Sequence, residues 1–266
     1  MDRDRLIELA RSVGGFIEDR LRDPEARRSA GRGAFHVDLE AEAFLKREIA
    51  GSGTLLIAED APPSGEAGGP VLVADVLDGS RNAVQRLPLY NVSLALGAPT
   101  LADTYTPDAI ETAVVYCPPT NVLHVASRGK GAWRNGVRMT SQRPTAASDA
   151  LSVGALYSRE YGPNAARVLG AFGSHRVLGC ATEHICAVAR GDSDAFIALN
   201  GRLRSVDIAA ALLIAEEAGA AIVPLGTPTL GGSHNERFSL VVASSQTTGQ
   251  LIQRMITARC HDYGSL

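Results

Sequence analysis

Apolar residues Leu6, Leu9, Val13, Phe16, Ile17 and Leu21 recur at helical spacing near the start of the chain, which predicts a helix with one face on a core. A second helix is expected over 38–51, DLEAEAFLKREIAG, with Gly51 as its stop. Short apolar runs follow at 55–58, 71–74, 92–97, 113–116 and 122–126, separated by turn residues as the strands of a sheet would be. The stretch 61–70, APPSGEAGGP, reads as an exposed loop, and APTLADTYTPDAI as another connection. Beyond residue 130 the pattern changes. Strand-like LSVGAL, HRVLG, DAFIAL, AAIVP and SLVVAS alternate with helix-like NAARVLGAFG, TEHICAVARG, DIAAALLIAEEAGA and TTGQLIQRMITARC. The expectation is an α/β protein, with an α+β half over 1–138 and an α/β half over 139–266.

Composition narrows the classes. The 266 residues are 45% hydrophobic, enough for a substantial core. A net charge of -3 and the lack of a basic stripe argue against nucleic acid as a partner. No run is long enough to span a membrane, and the N-terminal pattern lacks a signal-peptide core, so a soluble cytoplasmic protein is expected. Cys117, Cys180, Cys186 and Cys260 show neither metal-ligand nor redox spacing, and the six histidines show no ligand spacing either. RGKGAWRNG lacks the spacing of a nucleotide-binding loop and reads as a hairpin turning at Asn135-Gly136.

Chemistry enters where strands end in acids. LLIAED ends in Glu59 and Asp60, and VLVADVLD ends in Asp75 and Asp78. A buried strand does not hold an unpaired carboxylate cheaply. If the two strands are neighbours, Glu59, Asp75 and Asp78 meet, and divalent cations are what hold such acids together. An all-oxygen set points to Mg²⁺ or a similar hard ion. Gly79 and Ser80 follow at once, and the exposed amides of such a turn bind phosphate. Cation ligands beside an anion-binding turn fit a metal-assisted phosphatase. Asp-Gly-Ser is also a common plain turn, and the second acid on the same strand end is what favours the metal reading. Asp207 opens a small-residue helix, where it serves either as an ordinary helix cap or as a metal ligand reaching into a cleft.

These pieces, in this order, resemble the inositol monophosphatase superfamily of Mg²⁺-dependent, lithium-sensitive sugar phosphatases. DVLDGSRN matches its Asp-Pro-x-Asp-Gly-(Thr/Ser)-x-Asn pattern, VDIAA its Trp-Asp-x-Ala-Ala pattern, and AED its acidic strand end; LPLYNVSLALG, GKGAWRNG and AVARGDSDAFI also fit. On LDGSRNAV and GRLRSVDIAAA the chain is most similar to the archaeal-type inositol monophosphatase/fructose-1,6-bisphosphatase branch. The resemblance implies a layered α-β-α-β-α sandwich, two or three Mg²⁺ ions and a homodimer. It implies Glu59, Asp75, the Leu77 carbonyl, Asp78 and Asp207 as metal ligands. Glu59, Ser80 and Asp38 would serve catalysis, with Ser80 and Asp38 orienting the attacking water. Gly79 and Ser80 would bind phosphate, and Gly179, Cys180 and Ala181 would line the substrate pocket.

The departures bear on substrate. Val76 replaces the usual Pro and Val206 the usual Trp, while Asn200 stands where the family places a substrate-contacting acid. Arg202 and Arg204 beside it are either plain surface charges or a clamp for a second phosphate. The expected activity is hydrolysis of fructose 1,6-bisphosphate, an inositol monophosphate, or both. Adenosine 3',5'-bisphosphate is the alternative substrate, a catalytically idle partner-binding member the non-enzymatic alternative, and an α/β domain whose acids are mere caps the plainest one.

Overall fold

The computed structural model describes residues 1–31, 33–59, 61–98, 104–142, 151–156, 169–226, 232–233 and 236–260. Five layers stack in the order helices, sheet, helices, sheet, helix, as the resemblance implied. The outermost pair is α1 (Arg3–Arg20) and α2 (His36–Glu48). Asp2 caps α1 by accepting from Arg5 N at 2.9 Å, which satisfies one of the free amides of the first turn. The two helices meet through Phe16 stacked on Phe44, ring centres 4.6 Å apart.

The first sheet has eight strands, with Val71–Asp78 lying between Leu55–Ala58 and Asn91–Gly97. Val71–Asp78 runs parallel to the former and antiparallel to the latter. Its alternation sorts the core. Leu56, Leu72, Ala74 and Leu94 face α1 and α2, whereas Leu55, Ile57, Val71, Val73 and Ala95 face the middle helices. The hairpin expected at Asn135-Gly136 joins Gly131–Arg134 to Val137–Arg138, and both turn residues have positive φ (47° and 81°), the geometry of a primed turn. The loop expected over 61–70 contains a two-residue strand, Ser64–Gly65, on the sheet edge.

The middle layer is α4 (Ala181–Ala189) and α5 (Ser205–Glu217); α3 (Ser80–Val84) is a short turn at the site described below. Ten of the thirteen residues of α5, from Ser205 to Ala215, are buried. A helix apolar all round is one enclosed on both sides, and the small residues Ala209, Ala210 and Ala211 let two sheets approach it closely. The second sheet has five strands, ordered Ser174–Arg176, Ser152–Leu156, Ala195–Arg204, Arg237–Ala243, Ala221–Leu225. Phe196, Ala198, Leu240 and Val242 face α4 and α5. Ile197, Val241 and Ala243 face α6 (Gln246–Cys260) through Ile252 and Ile256. The first half of the helix expected over NAARVLGAFG lies outside the described residues, as does Asp60. No helix among the described residues is long and apolar enough to cross a membrane.

Phe196 is fully buried and stacks on His184 at 5.5 Å. Phe196→Ala is expected to lower the unfolding free energy by about 3–5 kcal/mol, measured by chemical denaturation. A loss under about 1 kcal/mol would mean that the core collapses around the deletion.

Candidate active site

Strand parity explains how the acids meet. Asp75 shares parity with Val71 and Val73, so it faces the middle helices. Glu59 shares parity with Leu55 and Ile57 and lies one step past the pair Ala58–Ala74. In a regular strand Asp78, three positions after Asp75, would face the opposite side. A bulge prevents this. Asp75 pairs with Ser93 and Asp78 with Asn91, and Val76 and Leu77 both point into the α1/α2 core. The extra residue returns Asp78 to the face of Asp75. The bulge is braced locally, because Leu77 N donates to Asp75 Oδ1 (3.1 Å) and Ser80 Oγ donates to Leu77 O (2.8 Å).

Asp78 is bound to the start of α4. Its Oδ1 accepts from Ala181 N (3.1 Å), and its Oδ2 from Thr182 N (2.6 Å), Thr182 Oγ1 (2.6 Å) and Cys180 Sγ (3.1 Å). A carboxylate there satisfies free amides and complements the helix dipole. The bonds link the end of a first-sheet strand to a middle-layer helix that precedes the second sheet's longest strand. Burial raises the Asp78 carboxyl above its usual range, and the bonds from Thr182 and Cys180 oppose that rise.

Gly79 turns the chain with φ 90°, ψ 31°, and a β-carbon there would lie 3.0 Å from Leu89 O and 3.3 Å from Cys180 Cβ. Only glycine meets both demands at no cost. The first bond of α3 is Ala83 N to Gly79 O, so no carbonyl of the helix takes the amides of Gly79 and Ser80. Asn82 ties this turn to the facing segment by donating to Leu89 O (2.8 Å) and Leu178 O (2.7 Å).

Glu59, Asp75 and Asp207 each bring a carboxylate oxygen within 4.8 Å of the others. Asp207 is the third residue of α5, and its Oδ2 accepts from Arg204 N at 2.8 Å. Asp75 is fully buried, and its carboxyl is raised well above the usual range, first by burial and then by the charges of Asp78 and Asp207. Burial also lifts Asp207, to about 6, with Arg204 opposing. The Arg204 guanidinium pairs with Glu59, and its Nε lies 3.1 Å from Asp207 Oδ1. These groups line a cleft of ≈ 290 Å³ together with Leu77, Asp78, Gly79, Ser80, Arg81, Gly179 and Ala181.

The other expected residues are placed as follows. Asp38 is buried as the third residue of α2, and its Oδ2 accepts from Phe35 N at 2.6 Å. Its charge contributes to the rise at Asp75. The Ser80 proton goes to Leu77 O. Cys180 is buried, its thiol held in the protonated form by burial and by Asp78, while Gly179 and Ala181 on either side reach the cleft. Asn200 and Arg202 lie in a bulged part of Ala195–Arg204, since Ala198 faces Leu240 but Leu203 already faces Phe238; their side chains are outside the description. Arg204 is turned onto the carboxylates rather than out towards a second phosphate. Sequence reasoning missed Asn82, Asn91 and Thr182. Asn91 donates to Thr182 Oγ1 at 2.9 Å and so positions the group that holds Asp78. A polar residue at the start of a strand as apolar as NVSLALG was the available signal.

Three carboxylates lining one cleft, Asp75 buried and Glu59 and Asp207 partly exposed, form with Leu77 beside them an oxygen donor set suited to a hard divalent cation. Burial raises the carboxyls of Asp75 and Asp207, and the charges of neighbouring acids add to the rise at both.

A five-layer α/β sandwich with an acidic cleft between its sheets, flanked by a glycine turn, has the architecture of the sugar phosphatases. The model of the inositol monophosphatase family matches residues 3–260, and the chain belongs to that family. It is 32% identical over 223 residues to the fructose-1,6-bisphosphatase/inositol-1-monophosphatase of Methanothermobacter thermautotrophicus, covering 77% of this chain and 76% of that protein. It is 30% identical to the Nus factor SuhB of Escherichia coli K12, covering 80% and 81%. Among solved structures, a Pyrococcus horikoshii protein described as having similarities to inositol-1 monophosphatase superposes with a TM-score of 0.82 at 25% identity, covering 95% and 97%. Family and archaeal relative together support a phosphatase, and the two archaeal proteins support the archaeal-type branch.

Protons and a divalent cation compete for the raised carboxyls of Asp75 and Asp207. Lowering pH protonates them and removes ligands, so the apparent affinity for Mg²⁺ is expected to rise from about pH 5 to about pH 7, with proton release on binding. Calorimetry in two buffers of different ionisation enthalpy measures both. A flat affinity with no proton release would show that the acids are already ionised without the cation.

Proposed function

We propose that this protein is a Mg²⁺-dependent phosphomonoesterase acting on a sugar or inositol phosphate, with fructose 1,6-bisphosphate and inositol monophosphate as the first substrates to test. One observation carries the reading: Glu59, Asp75 and Asp207 converge within 4.8 Å of one another in the cleft that the Gly79-Ser80 turn also lines. The archaeal relative's name joins the two substrates. Glu59, Asp75, the Leu77 carbonyl, Asp78 and Asp207 would hold the cation. Asp78 would contribute through the remaining lone pair of Oδ1, which accepts only from Ala181 N among the described contacts. A bound cation there supplies charge for the phosphoryl oxygens and lowers the pKa of a water.

The rest is work for the chain's own groups. The amides of Gly79 and Ser80 receive phosphate oxygens, and their fixed dipoles need no reorganisation as charge builds on phosphorus. Ser80 Oγ, its proton fixed on Leu77 O, would accept one hydrogen bond from an attacking water. Asp38 or Glu59 would take the proton that water loses as its oxygen bonds to phosphorus, the ester P–O bond breaks and the leaving sugar oxygen takes a proton from solvent. Gly179 and Ala181 form the facing wall, and their glycine and alanine side chains leave room for a sugar ring. Arg204 would meet a second phosphate only after its guanidinium leaves Glu59 and Asp207.

Asp75→Asn is expected to lower turnover by more than about a hundredfold, the upper end of what losing an outer-shell partner costs. Folding stability should stay level or rise, because one of three repelling carboxylates is neutralised. Phosphate release from a panel of sugar, inositol and nucleotide phosphates, with and without Mg²⁺ and with added Li⁺, checks the reading. Hydrolysis of none of the panel, or full activity in the Asp75→Asn protein, would overturn it.

A further inference from the structure

Among the cations of the cleft, Arg204 has the least ordinary position. Its backbone ends the strand Ala195–Arg204, where it pairs with Arg237, and it is also the cap residue of α5. Its side chain turns back across the helix start. There the guanidinium pairs with Glu59, from the first sheet, and with Asp207, from α5, at 3.1 Å from Nε. Arg204 N also donates to Asp207. Its side chain is 24% exposed, with Glu59 at 25% and Asp207 at 14%. A planar fork of donors fits two carboxylates better than a point charge does. The two acids it joins are two of the three that converge.

We infer that Arg204 is an internal stand-in for the catalytic cation: it neutralises Glu59 and Asp207 in the metal-free protein and must be displaced for a divalent cation to bind between them. The inference rests on the metal-site reading above. Metal binding is then an exchange of one cation for another. Without metal, the guanidinium offsets the repulsion between Glu59 and Asp207, which come from different layers. The same contact weakens the metal's net affinity, since the charge-assisted bonds to Arg204 must break first. Once displaced, the side chain is free for the substrate side of the cleft.

The test compares Mg²⁺ binding by calorimetry in the full chain and in Arg204→Gln, alongside the melting temperature of each without metal. Arg204→Gln should bind Mg²⁺ about tenfold more tightly or better, equivalent to about 1.4 kcal/mol, and should melt at a lower temperature without metal. Arg81→Gln is the charge control, because Arg81 lines the same cleft but none of its described contacts is to these acids. An equal gain in that variant would reduce the effect to net charge and overturn the inference. Unchanged or weaker Mg²⁺ binding in Arg204→Gln would do the same. If the wild-type chain binds no Mg²⁺ at all, the metal-site reading itself fails. A readout that needs no variant to fold is the Arg204 Nε–H resonance of the wild-type protein. It should be protected from exchange without metal and should shift or broaden on adding Mg²⁺; an unmoved signal would overturn the inference.

Discussion

Repulsion among carboxylates is the constraint around which this molecule is organised. Glu59, Asp75 and Asp207 come from two neighbouring strands and a middle-layer helix, and each would be better solvated apart. The apolar core holds them together. Glu59 and Asp75 are fixed in position by the parallel pairing of Leu55–Ala58 with Val71–Asp78. Asp207 is fixed by an α5 that is enclosed on both sides. Burial that stabilises the fold thus also raises the cost of ionising Asp75 and Asp207. Arg204 relieves part of that cost at Glu59 and Asp207 but makes no described contact with Asp75.

Two aspartates solve a common problem in the same way. Asp38 and Asp207 each occupy the third position of a helix and each accept the backbone N–H of the residue just before it. This bond fixes the carboxylate's rotamer, and at Asp207 the second oxygen takes the Arg204 Nε–H. The cap reading and the functional reading of these residues, which looked like alternatives in the sequence, are therefore compatible. Asp78 extends the device to another segment, because it caps α4 from outside and so locks the rim at Gly179 and Ala181 to the glycine turn. His184 reinforces the same rim. Leu178 N donates to its Nε2 at 3.0 Å, and burial lowers the imidazole to about 4, keeping that nitrogen an acceptor.

The strands and helices were legible where their periodicity was clean. The patterns over Leu6 to Leu21, DIAAALLIAEEAGA and SLVVAS correspond to α1, α5 and Arg237–Ala243. The meeting of Glu59 with Asp75 was legible too, because both end apolar runs and neighbouring parallel strands bring like ends together. Three things were not. The bulge at Val76 and Leu77 has no composition signal of its own, although Asp75 and Asp78 share a face only because of it. Asn91 and Thr182 act through contacts between residues about ninety positions apart, beyond the reach of local pattern. Arg204 sits next to two candidate roles in sequence, and only its side-chain direction distinguishes them.

The departures from the family pattern show which parts of the site carry the geometry. Val76, where the family pattern has Pro, gives the turn no fixed φ. Val76 is instead buried against α1 and α2, and the turn is held by side chains, with Asp75 taking Leu77 N and Ser80 giving its proton to Leu77 O. Those bonds do the job that a fixed φ would otherwise do. Val206, in place of Trp, is buried in the core shared by both sheets, next to Asp207 in the chain. In both cases the substituted residue is a packing residue, and the oxygen-bearing residues around it keep their bonds. Geometry at this site therefore depends on hydrogen bonds made by the acids themselves.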